Sequence, residues 1–127
     1  MDAISHWKGG YQCRVSIRDH EVAADEPPEV GGTNIGPTPT ELLLAALTSC
    51  YTMALFHVAK RQDLDLPDDL RVGASKFYDG QRLSRITVEV QTDQPFDELE
   101  DLMPRAAKLC FVSNTLMGST EVTYQVG

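Results

Sequence analysis

Apolar residues recur along this chain at two different spacings. Tyr11, Cys13, Val15 and Ile17 alternate with Gln12, Arg14, Ser16 and Arg18, the period of two that marks a strand covered on one face. Ala3 to Trp7 forms a preceding strand, joined through the turn pair Gly9-Gly10, and His20 to Ala24 forms a third after Asp19. Asp25 to Pro39 is rich in Pro and Gly and fits neither period, so it is expected to be a structured loop. Glu41 to Arg61 then holds neither Gly nor Pro, and Pro39 and Thr40 supply helix-start signals. Every residue from Leu42 to Leu47 is apolar, which predicts a helix buried all round by the rest of the protein.

The polar stretch Gln62 to Asp69, broken by Pro67, ends that helix. Leu70 to Tyr78 and Leu83 to Thr92 read as a hairpin around Asp79-Gly80. Its second strand sets Leu83, Arg85, Thr87, Glu89 and Gln91 on one face against Ser84, Ile86, Val88 and Val90 on the other. Leu99, Leu102, Met103, Ala106 and Leu109 give a second, amphipathic helix over Asp97 to Leu109, which Pro104 is expected to kink or divide. A short helical segment, Phe111 to Met117, and a last strand, Glu121 to Val126, complete the chain. The order predicts an α+β fold, an antiparallel sheet with helices on one side, as a single domain over residues 1–127.

Composition narrows the function classes. The chain has 127 residues and a net charge of -8, with a pI near 4.7, and lacks the basic footprint of a nucleic-acid binder. The N-terminus MDAISHWKGG has no apolar signal-peptide core. The longest apolar run is far shorter than the roughly 20 residues needed to span a bilayer. A cytoplasmic protein without a membrane partner is therefore expected. Three dispersed cysteines make neither a disulfide framework nor a zinc-ligand pattern, so no metal and no cofactor are expected. Any thiol pair here would be a redox pair.

The chemistry rests on Cys50 and Cys110. A thiol with its usual pKa of about 8.5 is mostly protonated at neutral pH and needs a cation, a helix N-terminus or a metal to become a nucleophile. Cys50 lies well beyond the first turn of its own helix, where the macrodipole has faded. A reactive Cys50 would need an arginine from elsewhere, either Arg14 or Arg18; the competing reading is a small core-filling cysteine among Leu43, Ala46, Leu47 and Ala54. His57 shares the Cys50 face and reads either as a base or as packing. His6 and His20 read as structural and Cys13 as core. Glu41 reads as a first-turn carboxylate and DQPFDELED as a solvated helix start.

The stretches GGTNIGPTPTELLLAALTSCYTMAL and AAKLCFVSNTL together resemble the OsmC/Ohr family, the osmotically induced protein C and organic hydroperoxide resistance proteins, over most of the chain. The resemblance implies an intertwined homodimer of OsmC/Ohr-like fold, with antiparallel sheets packed on a long core helix and two active sites at the subunit interface. It implies a thiol-dependent peroxidase in which Cys50 attacks a small organic hydroperoxide and Cys110 resolves the sulfenic acid as a disulfide, reset by a dithiol reductant. It also implies an arginine steadying the thiolate, assigned to Arg14, and a carboxylate holding it, assigned to Glu41. The family's catalytic Glu position falls at Thr40, and Glu41 follows it, closer to the OsmC-like branch. The alternative is a non-catalytic dimer that binds a small apolar ligand at its interface.

Overall fold

The structure is a computed structural model describing residues 1–127. It divides into two compact units, Met1–Leu43 and Leu44–Gly127. Unit 1 holds a three-stranded antiparallel sheet in the order β1-β2-β3, built from β1 (Ile4–Trp7), β2 (Cys13–Ile17) and β3 (His20–Ala24). The β1–β2 connection bends at Gly9 and Gly10, both at positive φ, and the Trp7 indole N–H donates to the Gly10 carbonyl at 2.9 Å. Pairing of Ile17 with His20 leaves Arg18 and Asp19 as a two-residue turn, with Arg18 at φ 53°.

The Pro/Gly-rich loop after β3 is ordered, and Asp25 orders it. This carboxylate is only 1 % exposed. One oxygen accepts the Glu26 N–H at 2.8 Å; the other accepts the Thr33 hydroxyl at 2.7 Å and the N–H groups of Thr33 and Ile35 at 3.1 and 3.2 Å. A single buried charge thus satisfies the donors of a segment that has no ladder of its own. The chain passes so close to itself that a Cβ on Gly32 would lie 1.8 Å from the Glu26 carbonyl oxygen.

The long helix α1 spans Pro39–Arg61. Thr38 and Glu41 form a reciprocal capping box at its start: the Glu41 carboxylate accepts the Thr38 N–H at 2.9 Å, and the Glu41 N–H donates to the Thr38 hydroxyl at 3.3 Å. Pro39 follows the cap, where its missing N–H costs nothing.

In unit 2, α1 packs with the hairpin β4 (Arg71–Asp79) and β5 (Arg82–Gln91), with α2 (Leu99–Leu109), and with α3 (Phe111–Met117). The core joins Leu47, Tyr51, Ala54, Leu55, Val58 and Ala59 of α1 to Leu102 and Ala106 of α2 and to Cys110. Val72 of β4 and Ile86, Val88 and Val90 of β5 close it from the sheet side. A register shift at Phe77/Tyr78 pairs Phe77 with Arg85 and Tyr78 with Leu83. The shift moves Leu83 to the covered face with Ile86, correcting its expected place beside Arg85. At the open end, the Asp69 carboxylate accepts the Thr92 hydroxyl at 2.6 Å and the Asp93 N–H at 2.7 Å.

Four expectations change. The sheet is two separate sheets, of three and two strands. Residues 121–126 form no strand; the alternation of Val122, Tyr124 and Val126 is there, but no strand pairs with it. Helix α2 runs unbroken past Pro104; the carbonyl left without its helical donor is that of Glu100, which is exposed to water. Helix α1 buries one face, not all of them: Met53 is 69 % exposed and Phe56 57 %. By length and composition alone α1 could cross a membrane, yet its inner face is the core of unit 2.

Candidate functional site

Cys50 lies at the rim of the buried face of α1, between core residues Leu47 and Ala54 one turn away on either side. It is half-buried, and Cys110 is fully buried. Cys110 occupies the junction of α2 and α3 and serves as the N-cap of α3, its Sγ accepting the Ser113 N–H at 3.5 Å. The junction is fixed from outside by Asn114, whose side-chain amide donates to the Lys108 carbonyl at 3.0 Å. Farther back, the Tyr51 hydroxyl ties α1 to the middle of α2 by donating to the Met103 carbonyl at 2.9 Å.

This arrangement packs Cys50 against the buried cluster that contains Cys110. The Cys50 thiol is held below the ordinary thiol range, first by the backbone N–H of Val112, with the Cys110 side chain and the Phe111 N–H adding to it against the cost of burial. The Cys110 thiol is pushed up, first by burial and then by its hydrogen bond to Cys50 and that sulfur's charge, against the Ser113 and Val112 N–H groups. Burial and the Cys110 charge also raise Tyr51. The two thiols are therefore shifted in opposite directions, Cys50 down and Cys110 up. Two groups of similar chemistry pushed apart in this way are suited to different roles.

The amides that polarise Cys50 come from the first turn of α3, not from α1. The chain start of α3 was readable as a short helical segment, but no periodicity in it points toward residue 50; only the caps around Cys110 could have hinted that free N–H groups lay there. Phe111, Val112, Tyr51 and Asn114 are thus site residues that the sequence did not single out.

The other candidates have their own engagements. Arg14 lies on β2 in unit 1, partly exposed, 3.6 Å from the Glu21 carboxylate. Glu41 closes the α1 capping box. Cys13 is half-buried on β2, with its Sγ 3.9 Å from the Tyr11 carbonyl. His57 is exposed on α1, and His6 and His20 are exposed on β1 and β3. No three His, Cys, Asp or Glu side chains converge closely enough to hold a metal ion.

Comparison with known proteins agrees with this architecture. An uncharacterized protein of Acinetobacter baylyi is 27% identical over 93% of this chain and 87% of its own length. Among solved structures, an organic hydroperoxide resistance protein OsmC from Legionella pneumophila is 26% identical with a TM-score of 0.67, over 91% of this chain and 88% of its own. An OsmC-like protein from Mycoplasma pneumoniae shares the fold at 17% identity and a TM-score of 0.76, covering 92% of this chain and 86% of its own. The organic hydroperoxide resistance protein OhrB of Bacillus subtilis does so at 22% identity and 0.63, over 91% and 89%. Residues 31–125, which include the capping box, both paired cysteines and the amides of α3, match the family described as OsmC-like protein, and the chain belongs to that family.

Proposed function

We propose that this chain, as one OsmC-like domain, is a cytoplasmic homodimeric peroxidase that reduces organic hydroperoxides with Cys50 as nucleophile and Cys110 as resolving thiol. The observation that carries this reading is that Cys50 packs against the buried cluster that contains Cys110, with the first thiol shifted down and the second up. The names of the Legionella and Bacillus relatives support the choice of hydroperoxide. The exposed apolar face of α1 supports a dimer.

The Cys50 thiolate attacks the outer oxygen of ROOH. The O–O bond breaks, the alkoxide takes up a proton and leaves as alcohol, and Cys50 becomes a sulfenic acid. Cys110 gives up its proton and attacks the Cys50 sulfur, expelling hydroxide and forming a disulfide; an external dithiol then returns two electrons. The Phe111 and Val112 amides stabilise negative charge on Cys50 before attack, so that only part of the activation falls to a cation. Arg14 is the proposed cation, with Arg18 as its alternate, and Glu41 the carboxylate that would orient it.

A stoichiometric addition of cumene hydroperoxide to the reduced protein tests this. The expected result is the loss of two thiols and a Cys50–Cys110 disulfide by mass spectrometry, with Cys50→Ser unreactive. Unchanged thiols would overturn the peroxidase reading and leave the apolar-ligand-binding dimer.

A further inference from the structure

A cleft lies between the last turns of α1 and α2 in unit 2. Val58, Arg61 and Gln62 line one wall, and Arg105, Lys108 and Leu109 line the other. Each triplet follows the i, i+3, i+4 spacing that puts three side chains on one helix face. The volume is about 420 Å³, within the range of pockets that hold small molecules. Its floor is apolar: Val58 belongs to the buried core, and Leu109 is a leucine left 44 % exposed at the rim. Three cations surround that floor in a protein whose net charge is -8.

Cations at helix C-termini are ordinarily explained by the macrodipole and by carbonyls in need of donors. That explanation falls short here. At the end of α1, the Ala59 carbonyl already accepts the Gln62 and Leu64 N–H groups at 3.0 and 2.9 Å, and the Lys60 carbonyl accepts the Asp63 N–H at 3.2 Å. At the end of α2, the Ala107 carbonyl accepts the Cys110 N–H and the Lys108 carbonyl accepts the Asn114 amide. Arg105 sits in mid-helix, beyond the reach of the terminal dipole, and its carboxylate partner is Asp101 at 3.4 Å. Arg61 and Lys108 have no carboxylate partner.

We propose that this cleft binds a small amphipathic anion, an organic carboxylate with a short hydrocarbon tail. The headgroup lies between Arg61 and Lys108 with Arg105 and Gln62 beside it, and the tail covers Val58 and Leu109. Charge selects the headgroup, and the apolar floor selects against a bare inorganic ion. None of these residues belongs to the cysteine pair, so binding here and hydroperoxide reduction there stand or fall separately.

Titrating the isotope-labelled full-length protein with sodium octanoate, 1-octanol and inorganic phosphate, followed by amide chemical shifts, tests the assignment. Octanoate is expected to bind saturably, to shift the amides of Arg61, Gln62, Arg105, Lys108 and Leu109, and to bind more tightly than either other probe. The double variant R61Q/K108Q, both changes being on exposed side chains, should keep the spectrum of a folded protein. Losing two like charges around one headgroup should weaken octanoate on the order of tenfold at low salt. Octanol or phosphate binding as tightly as octanoate, shifts confined to other residues, or an unchanged affinity in the double variant would overturn it.

Discussion

A carboxylate buried in a loop must find its hydrogen bonds within that loop, and Asp25 finds four donors. The Thr33 hydroxyl, more than any other group, holds its carboxyl below the usual carboxylate range, with the Glu26, Ile35 and Thr33 N–H groups acting the same way against burial. A depressed folded-state pKa contributes stability that is fully present above the unfolded value, about 3.9, and is lost as pH falls through the lower folded value. The Asp25→Asn variant should therefore melt lower at pH 7 and show a flatter acid limb, measured by thermal denaturation across pH. Gly32→Ala should destabilise the same loop by at least about 1–3 kcal/mol, because the new methyl meets backbone that cannot rotate away. The Cys50 and Cys110 shifts give a second residue-scale test. Alkylation by iodoacetamide followed by mass spectrometry should titrate Cys50 below, and Cys110 in Cys50→Ser above, the ordinary thiol value of about 8.5.

Single elements were readable from sequence where local pattern decides them. The alternation after Tyr11, the Gly-free run to Arg61 and the apolar spacing from Leu99 to Leu109 each became the expected element. What local pattern cannot carry is a partner from another element. The strand expected over Glu121 to Val126 has an alternating sequence and nothing to pair with, and the bulge opposite Phe77 moved Leu83 across the hairpin. The site divides in the same way: Cys50 and Cys110 could be named from the chain, but the amides of Phe111 and Val112 act on Cys50 through the corner held by Asn114, on a helix that Tyr51 ties to α1. Tyr51→Phe, which removes one buried hydrogen bond, should cost about 1 kcal/mol in chemical denaturation. Asn114→Ala should raise the alkylation midpoint of Cys50, since the amides would no longer be held in place. Helix α3 has no fully buried residue and packs on the core only through Val112, so its caps carry much of its stability. Disulfide formation would consume the Cys110 thiol and the Cys50 charge at once, and amide hydrogen exchange over Phe111–Met117 should quicken on oxidation relative to the reduced protein.

Over the whole molecule, the apolar surface is unevenly distributed. The all-apolar run Leu42 to Leu47 predicts complete burial, yet only Leu47 of it is buried, and farther along α1 Met53 and Phe56 face solvent opposite Leu55 and Val58. Isolated exposed leucines and valines are ordinary on any protein. Two large side chains one turn apart on the same helix face, beside exposed Ala45, Ala46 and Ser49, form a stripe small enough at one end for close approach and bulky enough at the other to fill a gap. A second copy presenting the same stripe would cover it about a two-fold axis, each Phe56 meeting its counterpart's smaller residues. Charge alone would keep copies apart at -8, so a dimer joined here would draw its stability from this apolar contact and should tolerate, or strengthen with, added salt. M53E/F56E places two carboxylates on the stripe without touching the core, and the variant should sediment as a folded monomer while the unmodified chain sediments as a dimer. A variant that stays dimeric with an unchanged dissociation constant would put the interface on another surface.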